Sequence, residues 1–81
     1  MKTKSGFEFK ISKARLDNYE LVEALGELET NPLKLPSVLN LLLGDQVNKL
    51  KDHLRDKDGF VSTESIMNEV KEIFELSKAK N

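Results

Sequence analysis

Two prolines, Pro32 and Pro36, are the feature that most restricts the fold of this chain. Each lacks a backbone N–H and disfavours helical geometry in the residue before it, so a continuous helix cannot run through residues 30–36. In a chain of 81 residues, this break leaves room only for short elements on either side. We therefore expect a single small domain, residues 1–81, whose segments bury their apolar faces against one another.

Apolar residues recur with helical spacing in four segments of the chain. The predicted helices cover about residues 16–29, 37–43, 45–56 and 63–78. The last has the clearest apolar stripe, which consists of Ile66, Val70, Ile73 and Phe74. Ser62 or Thr63 is suited to cap its start, and Lys78 and Lys80 favour its negative end.

The segment before the prolines combines an apolar stripe with an acidic one. In residues 16–29, Asp17 or Asn18 can cap the helix start. The apolar stripe consists of Leu21, Val22, Leu25 and Leu28. The acidic face consists of Glu20, Glu23 and Glu27, and it either docks a basic partner or forms a solvated surface. Gly26 costs about 1 kcal/mol of helix stability relative to alanine, so it marks either a close contact or an early helix end.

Residues 37–43 are apolar on almost every side of their predicted helix. Ser37 is suited to cap the start and Gly44 to end it. The predicted buried face consists of Leu39, Leu42 and Leu43. Val38 and Leu41 are therefore expected to point elsewhere. Such a helix is either central in the core or keeps apolar surface for a partner.

The first eleven residues show a different period. Phe7 and Phe9 alternate with charged side chains, which is typical of a half-buried β-strand, and Ser5-Gly6 suits a tight turn. We predict an N-terminal β-hairpin over about residues 2–11, and hence an α+β fold that is mostly helical. A lone hairpin is marginally stable in water, so its aromatic face must pack on the helices or on another subunit. Its edge strand could also pair with another chain.

The charge balance restricts the classes of partner. The formal net charge is −1 at pH 7, which argues against a general nucleic-acid binder. Residues 1–15 carry +4 and residues 16–30 carry −5, so the two segments can pair within the chain or between copies, or remain solvated. The chain has no apolar run of the roughly 18 residues that a membrane span needs, no apolar core of a signal peptide and no cysteine. We expect a soluble, intracellular protein without a membrane partner.

The stretch RDKDGFVSTESI, residues 55–66, resembles the middle of a calcium-binding loop. With Gly59 at loop position six, Asp56 and Asp58 take positions three and five, as calcium requires. Leu54 and Ser65 then occupy positions one and twelve, where the ligands that close the site belong. We therefore interpret the stretch as a helix end, a turn at Asp58-Gly59 and a helix start, with no metal or other cofactor.

Catalytic residues are not evident from the spacing. His53 is the only histidine, and with Asp52 and Asp56 nearby it could act as a general base or sit at the surface. The sequence shows no arrangement of serine, histidine and aspartate typical of nucleophilic catalysis. We therefore expect a protein that is not an enzyme.

Three stretches together carry a family resemblance: KTKSGFEFKIS, NPLKLPSVLNLLLGD and LKDHLRDKDGFVSTESIMNEVKEI. They resemble the small tail assembly chaperones of siphophages that infect Gram-positive bacteria, across almost the whole chain. The likeness implies a non-enzymatic protein that binds the tape measure protein, a long helical chain, and helps tail tube subunits polymerise around it. It also implies self-association, and the end LSKAKN resembles the shorter of the family's two translated forms.

The resemblance implies further partners and a location. The tail tube protein is a further expected partner, nucleic acid is not, and the expected location is the cytoplasm of the bacterial host rather than the mature virion. A chaperone for a helical client needs apolar contacts, so we predict partner contacts at Val38 and Leu41. Phe7 and Phe9 join them if the hairpin lies at an interface, and the acidic face defined above is a further candidate.

Two other interpretations remain open at this point. A small phage-encoded regulatory or adaptor module, binding protein or DNA, would present a basic recognition helix if it bound DNA. The last predicted helix has lysines, but glutamates oppose them at Glu64, Glu69, Glu72 and Glu75. A degenerate calcium-binding helix pair is the second alternative, and it predicts that millimolar calcium raises the melting temperature.

Overall fold

Helices dominate the described part of the chain, residues 1–79. The computed structural model contains α1 (Lys13–Leu16), α2 (Tyr19–Leu28), α3 (Leu35–Leu43), α4 (Val47–Leu54) and α5 (Thr63–Ala79). Short 3₁₀ turns, Pro32–Lys34 and Gly44–Gln46, lead into α3 and α4. The prediction of a mostly helical fold with four main helices is confirmed. Lys80, which was expected to favour the end of the last helix, lies outside the described residues.

The predicted N-terminal hairpin is wrong, because residues 1–79 contain no strand. One isolated antiparallel bridge joins Lys2 and Glu8. Inside it, the Thr3 N–H donates to the carbonyl oxygen of Phe7 at 3.0 Å. The chain turns at Ser5-Gly6, as the sequence predicts. Gly6 has a φ of +96°, which glycine adopts readily.

The backbone pairing between residues 1–3 and 7–9 stops after Phe9, because the side chain of Gln46 binds the next residue in place of a second strand. Phe9 donates its N–H to the carbonyl oxygen of Met1 at 2.9 Å, at the start of the chain. Beyond it, the Lys10 N–H donates to Gln46 Oε1 at 2.9 Å, and Gln46 Nε2 donates to the Lys10 carbonyl at 2.7 Å. Both backbone groups of Lys10 are therefore satisfied by one amide side chain, and no ladder extends.

Capping side chains set three of the helix starts. Asn18 Oδ1 accepts the N–H of Glu20 at 3.0 Å, so α2 begins at residue 19 rather than 16. Residues 13–16 instead form the separate helix α1, capped by Ser12. At α5, Ser62 Oγ accepts the N–H of Ser65 at 3.3 Å, which confirms Ser62 as a cap.

Helix α3 begins two residues earlier than predicted, at Leu35 instead of residue 37. Pro36 lies in its first turn, where the missing N–H has no intrahelical partner to lose. Ser37 is therefore inside the helix and is not its cap. The predicted end is confirmed, because Gly44 follows Leu43 with a φ of +60°.

The end of α3 is closed by Arg15, which comes from α1. Its Nη1 donates to the carbonyl oxygens of Asn40 at 3.3 Å and Leu41 at 3.1 Å. A cation at this position satisfies terminal carbonyls and complements the helix dipole. A Cβ at Gly44 would collide with the same guanidinium, so the glycine also leaves room for this cap.

The core is formed around α3, against which α2 packs, while α5 packs mainly against α4. The buried apolar residues are Phe7, Phe9, Leu21, Ala24, Leu28, Leu35, Val38, Leu39, Leu42, Leu43, Leu50, Ile66, Val70 and Ile73. The Phe7 and Phe9 rings are stacked with centroids 6.2 Å apart. The N-terminal segment is therefore part of the core despite lacking a sheet.

Candidate functional site

An apolar groove runs between α2 and α5. It consists of two contiguous cavities, of about 800 and 460 Å³, which share Leu25 and Phe74 in their linings. The lining of the first is completed by Lys13, Ala14, Leu16, Asp17, Val22 and Lys78. The lining of the second is completed by Leu28, Glu29, Met67, Val70, Lys71 and Glu75. We call this surface the α2–α5 groove.

The groove exists because α2 and α5 each carry more apolar surface than the core covers. Leu21 and Leu28 of α2 are buried, whereas Val22, on the neighbouring face, is 52% exposed. Leu25, Met67 and Phe74 are half-buried along the groove. An unpartnered apolar face of this kind marks an interaction surface more often than it marks an enzyme pocket, because chemistry needs convergent polar groups.

The two ends of the groove differ in charge. Lys13 and Lys78 lie at the end formed by the start of α2, together with Asp17. Glu29 and Glu75 lie at the other end, together with Lys71. The Lys78 ammonium lies 5.9 Å from the centre of the Phe74 ring, which holds a positive charge over the apolar floor. The groove is therefore net positive at one end and net negative at the other.

Three of the apolar partner contacts predicted from the sequence are buried, and the fourth, Leu41, keeps part of its surface exposed. Val38 is 0% exposed, so the expectation that it points outward is wrong. The reason is spacing: Val38 lies one turn before Leu42, which places both on the buried face of α3. Phe7 and Phe9 are buried within the chain itself. Leu41 is half-buried at the edge of the core.

The acidic face of α2 is exposed, as an interaction surface or a solvated face would be. Glu20 and Glu23 are exposed, and Glu27 pairs with Lys34 at 3.3 Å. A single exposed ion pair contributes little to stability. The prediction that this face docks a basic partner stays a prediction.

The connector between α4 and α5 uses its aspartate for backbone hydrogen bonds. Asp56 Oδ1 accepts the N–H groups of Asp58 at 2.9 Å and Phe60 at 3.0 Å. Gly59 has a φ of +90°, as expected for the turn. Phe60, which follows the turn, is 72% exposed. Among residues 1–79, no three acidic or histidine side chains are grouped so that they could hold a metal ion.

A serine, a histidine and a carboxylate come together at a place that the sequence spacing did not reveal. Ser5 Oγ lies 3.1 Å from His53 Nε2 and 3.0 Å from Glu69 Oε1. His53 Nε2 is also 3.1 Å from the carbonyl oxygen of Ser5, which can only accept, so a hydrogen bond there requires the tautomer with a proton on Nε2. In that tautomer, Nε2 is not a base for Ser5 Oγ.

The carboxylate in this cluster also binds the wrong partner for catalysis. Glu69 Oε1 accepts the hydroxyls of Thr3 and Ser5, whereas a catalytic histidine is oriented by a carboxylate on its other nitrogen. Nearby, the Lys4 N–H donates to Glu72 Oε2 at 2.8 Å. These contacts attach residues 3–5 to α4 and α5. We call the cluster of Thr3, Ser5, His53 and Glu69 the N-terminal latch.

Comparisons with protein-family models, curated proteins and solved structures find no match to this chain. Within residues 1–79, none of the helices combines the length and hydropathy of a membrane-spanning helix. The α2–α5 groove is therefore the candidate site on geometric grounds. Its sequence signal was the width of the α2 stripe, in which Val22 and Leu25 flank residues that already fill the core.

Proposed function

We propose that this protein is a non-enzymatic tail assembly chaperone, which binds the tape measure protein of a siphophage in the cytoplasm of the bacterial host and assists assembly of the tail tube. The observation that carries the proposal is the α2–α5 groove, an apolar surface between α2 and α5 that α1 residues complete at one end. The three sequence stretches that resemble this chaperone family support the same role.

The groove suits an amphipathic helical client. Grooves between helices bind the apolar face of a third helix, with client side chains spaced at i, i+3, i+4 and i+7. Each client leucine buried there contributes about 1.5–3 kcal/mol. Three such residues contribute about 4.5–9 kcal/mol before the cost of association, so we expect a weak and reversible complex. That strength protects an apolar stripe from aggregation and still releases it to the assembling tube.

Co-purification with the tape measure protein tests this proposal. The tape measure protein encoded in the same genome is co-expressed with tagged wild-type chain and with Val22→Glu. Val22 is 52% exposed in the groove, so the substitution places a charge on the apolar floor without emptying the core. We expect Val22→Glu to lose the client while its circular dichroism spectrum is unchanged.

Leu33→Glu is the matched control. Leu33 is 84% exposed and lies outside the groove, in the turn before α3. It should retain the client fully. Retention by Val22→Glu, or equal loss by both variants, would contradict the proposed use of the groove, and failure of the wild-type chain to retain the client would contradict the proposed function.

A further inference from the structure

Gly26, in the middle of α2, is not explained by anything in its own chain. It does not have a positive φ, since the glycines that do are Gly6, Gly44 and Gly59. A Cβ built at Gly26 would meet no atom within 4 Å. A glycine inside a helix costs about 1 kcal/mol relative to alanine. Neither a turn nor internal packing therefore requires this residue.

The position of Gly26 suggests what it accommodates. Gly26 is not among the residues that line the two cavities, but it lies at the edge of the α2–α5 groove, one turn after Val22 and one turn before Glu29, which both line it. Helix axes pack 8–10 Å apart, depending on the side chains at the contact. At a glycine the limit is the backbone itself, so a helix in the groove can approach α2 more closely there than at any neighbouring residue.

The length of the groove sets the length of its occupant. Along α5, the lining residues extend from Met67 to Lys78. At a rise of 1.5 Å per residue, this stretch is roughly 16 Å long, or about three helical turns. The occupant is therefore a short helical segment of a longer chain rather than a whole domain.

The charges at the two ends set its direction. Lys13 and Lys78 favour acidic side chains at the end where α2 starts, and Glu29 and Glu75 favour basic ones at the other end. Such rim charges are individually weak, and Asp17 and Lys71 offset part of each end, but reversal of the helix would exchange net attraction for net repulsion at both ends.

From these observations we infer that the α2–α5 groove binds one amphipathic helix of about three turns in a single direction, with its acidic end at Lys13 and Lys78, its basic end at Glu29 and Glu75, and its backbone against Gly26. This inference rests on the proposed function for the origin of the helix. It adds the direction in which the client helix lies in the groove. It also adds a close approach between the client backbone and α2 that a side chain at residue 26 would prevent.

A designed peptide tests the direction. The probe has leucines at i, i+3, i+4 and i+7, glutamates in its first turn and lysines in its last, which also favours the helix. A nitroxide on its acidic end should broaden the amide signals of Ala14 and Lys78, and not that of Glu29, in the ¹⁵N-labelled chain. A nitroxide on its basic end should do the opposite. Equal broadening at both ends, the reverse pattern, or no binding of the peptide at millimolar concentration would overturn the inference.

Substitutions at residue 26 test the close approach. Gly26→Leu should weaken peptide binding at least about tenfold, because the side chain separates the helices, and should not lower the melting temperature, because leucine favours the helix. Asn48→Leu, at an exposed position of α4 outside the groove, introduces the same side chain elsewhere and should change the affinity less than about twofold. Equal affinities for Gly26→Leu and wild type would overturn the inference.

Co-purification separates this inference from the proposed function. If Gly26→Leu retains the tape measure protein while Val22→Glu loses it, the groove is the client site but the close approach at Gly26 is wrong. If neither variant loses the client, the groove itself is the wrong site. Loss by both, with retention by Asn48→Leu, supports the inference.

Discussion

The N-terminal latch should contribute a large share of the stability of this fold, and Thr3→Val is the substitution that measures it. Thr3 is 4% exposed, and its Oγ1 donates to Glu69 Oε1 at 2.8 Å. The same oxygen accepts the N–H of Phe7 at 3.3 Å. Valine has nearly the same shape, so the change removes the hydrogen bonds without creating a cavity.

The expected loss is about 2 kcal/mol. A hydrogen bond to a charged group contributes about 1.5–3 kcal/mol, and the longer contact with the Phe7 N–H adds little to it. Glu69, 6% exposed, keeps only the Ser5 hydroxyl at 3.0 Å on that oxygen. A chain of 81 residues has a total stability of roughly 4–12 kcal/mol, so the melting temperature should fall by about 8–16 °C.

Urea denaturation followed by circular dichroism gives the free energy of unfolding, and a double-mutant cycle isolates the pair. In Glu69→Gln, the amide oxygen still accepts from Thr3 but without a charge, so Thr3→Val should cost about 1 kcal/mol less in that background. Hydrogen exchange should accelerate at Thr3, whose N–H bonds the Phe7 carbonyl. A loss below about 0.5 kcal/mol, or strict additivity in the cycle, would refute the assigned role of the latch.

Three further results are expected. Val38→Ala should cost about 2 kcal/mol in urea denaturation, because two methyl groups are lost from a fully buried site; a neutral result would contradict its place in the core. Gly26→Ala should increase the free energy of unfolding by about 0.5–1 kcal/mol and raise the melting temperature. Gly59→Ala should decrease that free energy by about 1–2 kcal/mol and lower the melting temperature, because Gly59 has a positive φ; a change of the same sign in both variants would contradict the backbone conformations described. Asp56→Ala should lower the free energy of unfolding by about 1–2 kcal/mol through two lost hydrogen bonds; a melting temperature that millimolar calcium raises in the wild-type chain but not in Asp56→Ala would show instead that this aspartate binds metal.

Local patterns predicted the helices well and their boundaries less well. Three residues of the predicted α5 stripe, Ile66, Val70 and Ile73, fill the core, whereas the fourth, Phe74, is half-buried in the groove. The start of α3 differs from the prediction because a proline is tolerated in the first turn of a helix, so Pro36 does not stop it. Val38 differs because its i, i+4 relation to Leu42 places it on the buried face of α3.

The N-terminal segment and the functional surfaces depend on contacts distant in sequence. Alternation of Phe7 and Phe9 correctly indicated which face is buried, but the pairing is ended by Gln46, 36 residues after Lys10. The latch joins Ser5 to His53, 48 residues away. Spacing within one segment contains no information on such pairs, so neither a hairpin's length nor a cluster of this kind could be derived from it.

The groove depends on the same long-range packing, because α3 and α4 fix the separation of the helices that form its walls. On α5, Glu69 of the latch and Lys71 of the groove are two residues apart, which places them about 200° apart around the helix. One face of α5 is thus held by polar contacts while the other remains open. Because the latch fixes α5, the groove is already formed before a partner binds, and less conformational entropy is lost on binding. Loosening the latch with Thr3→Val should therefore weaken binding in the groove, although no latch residue touches it.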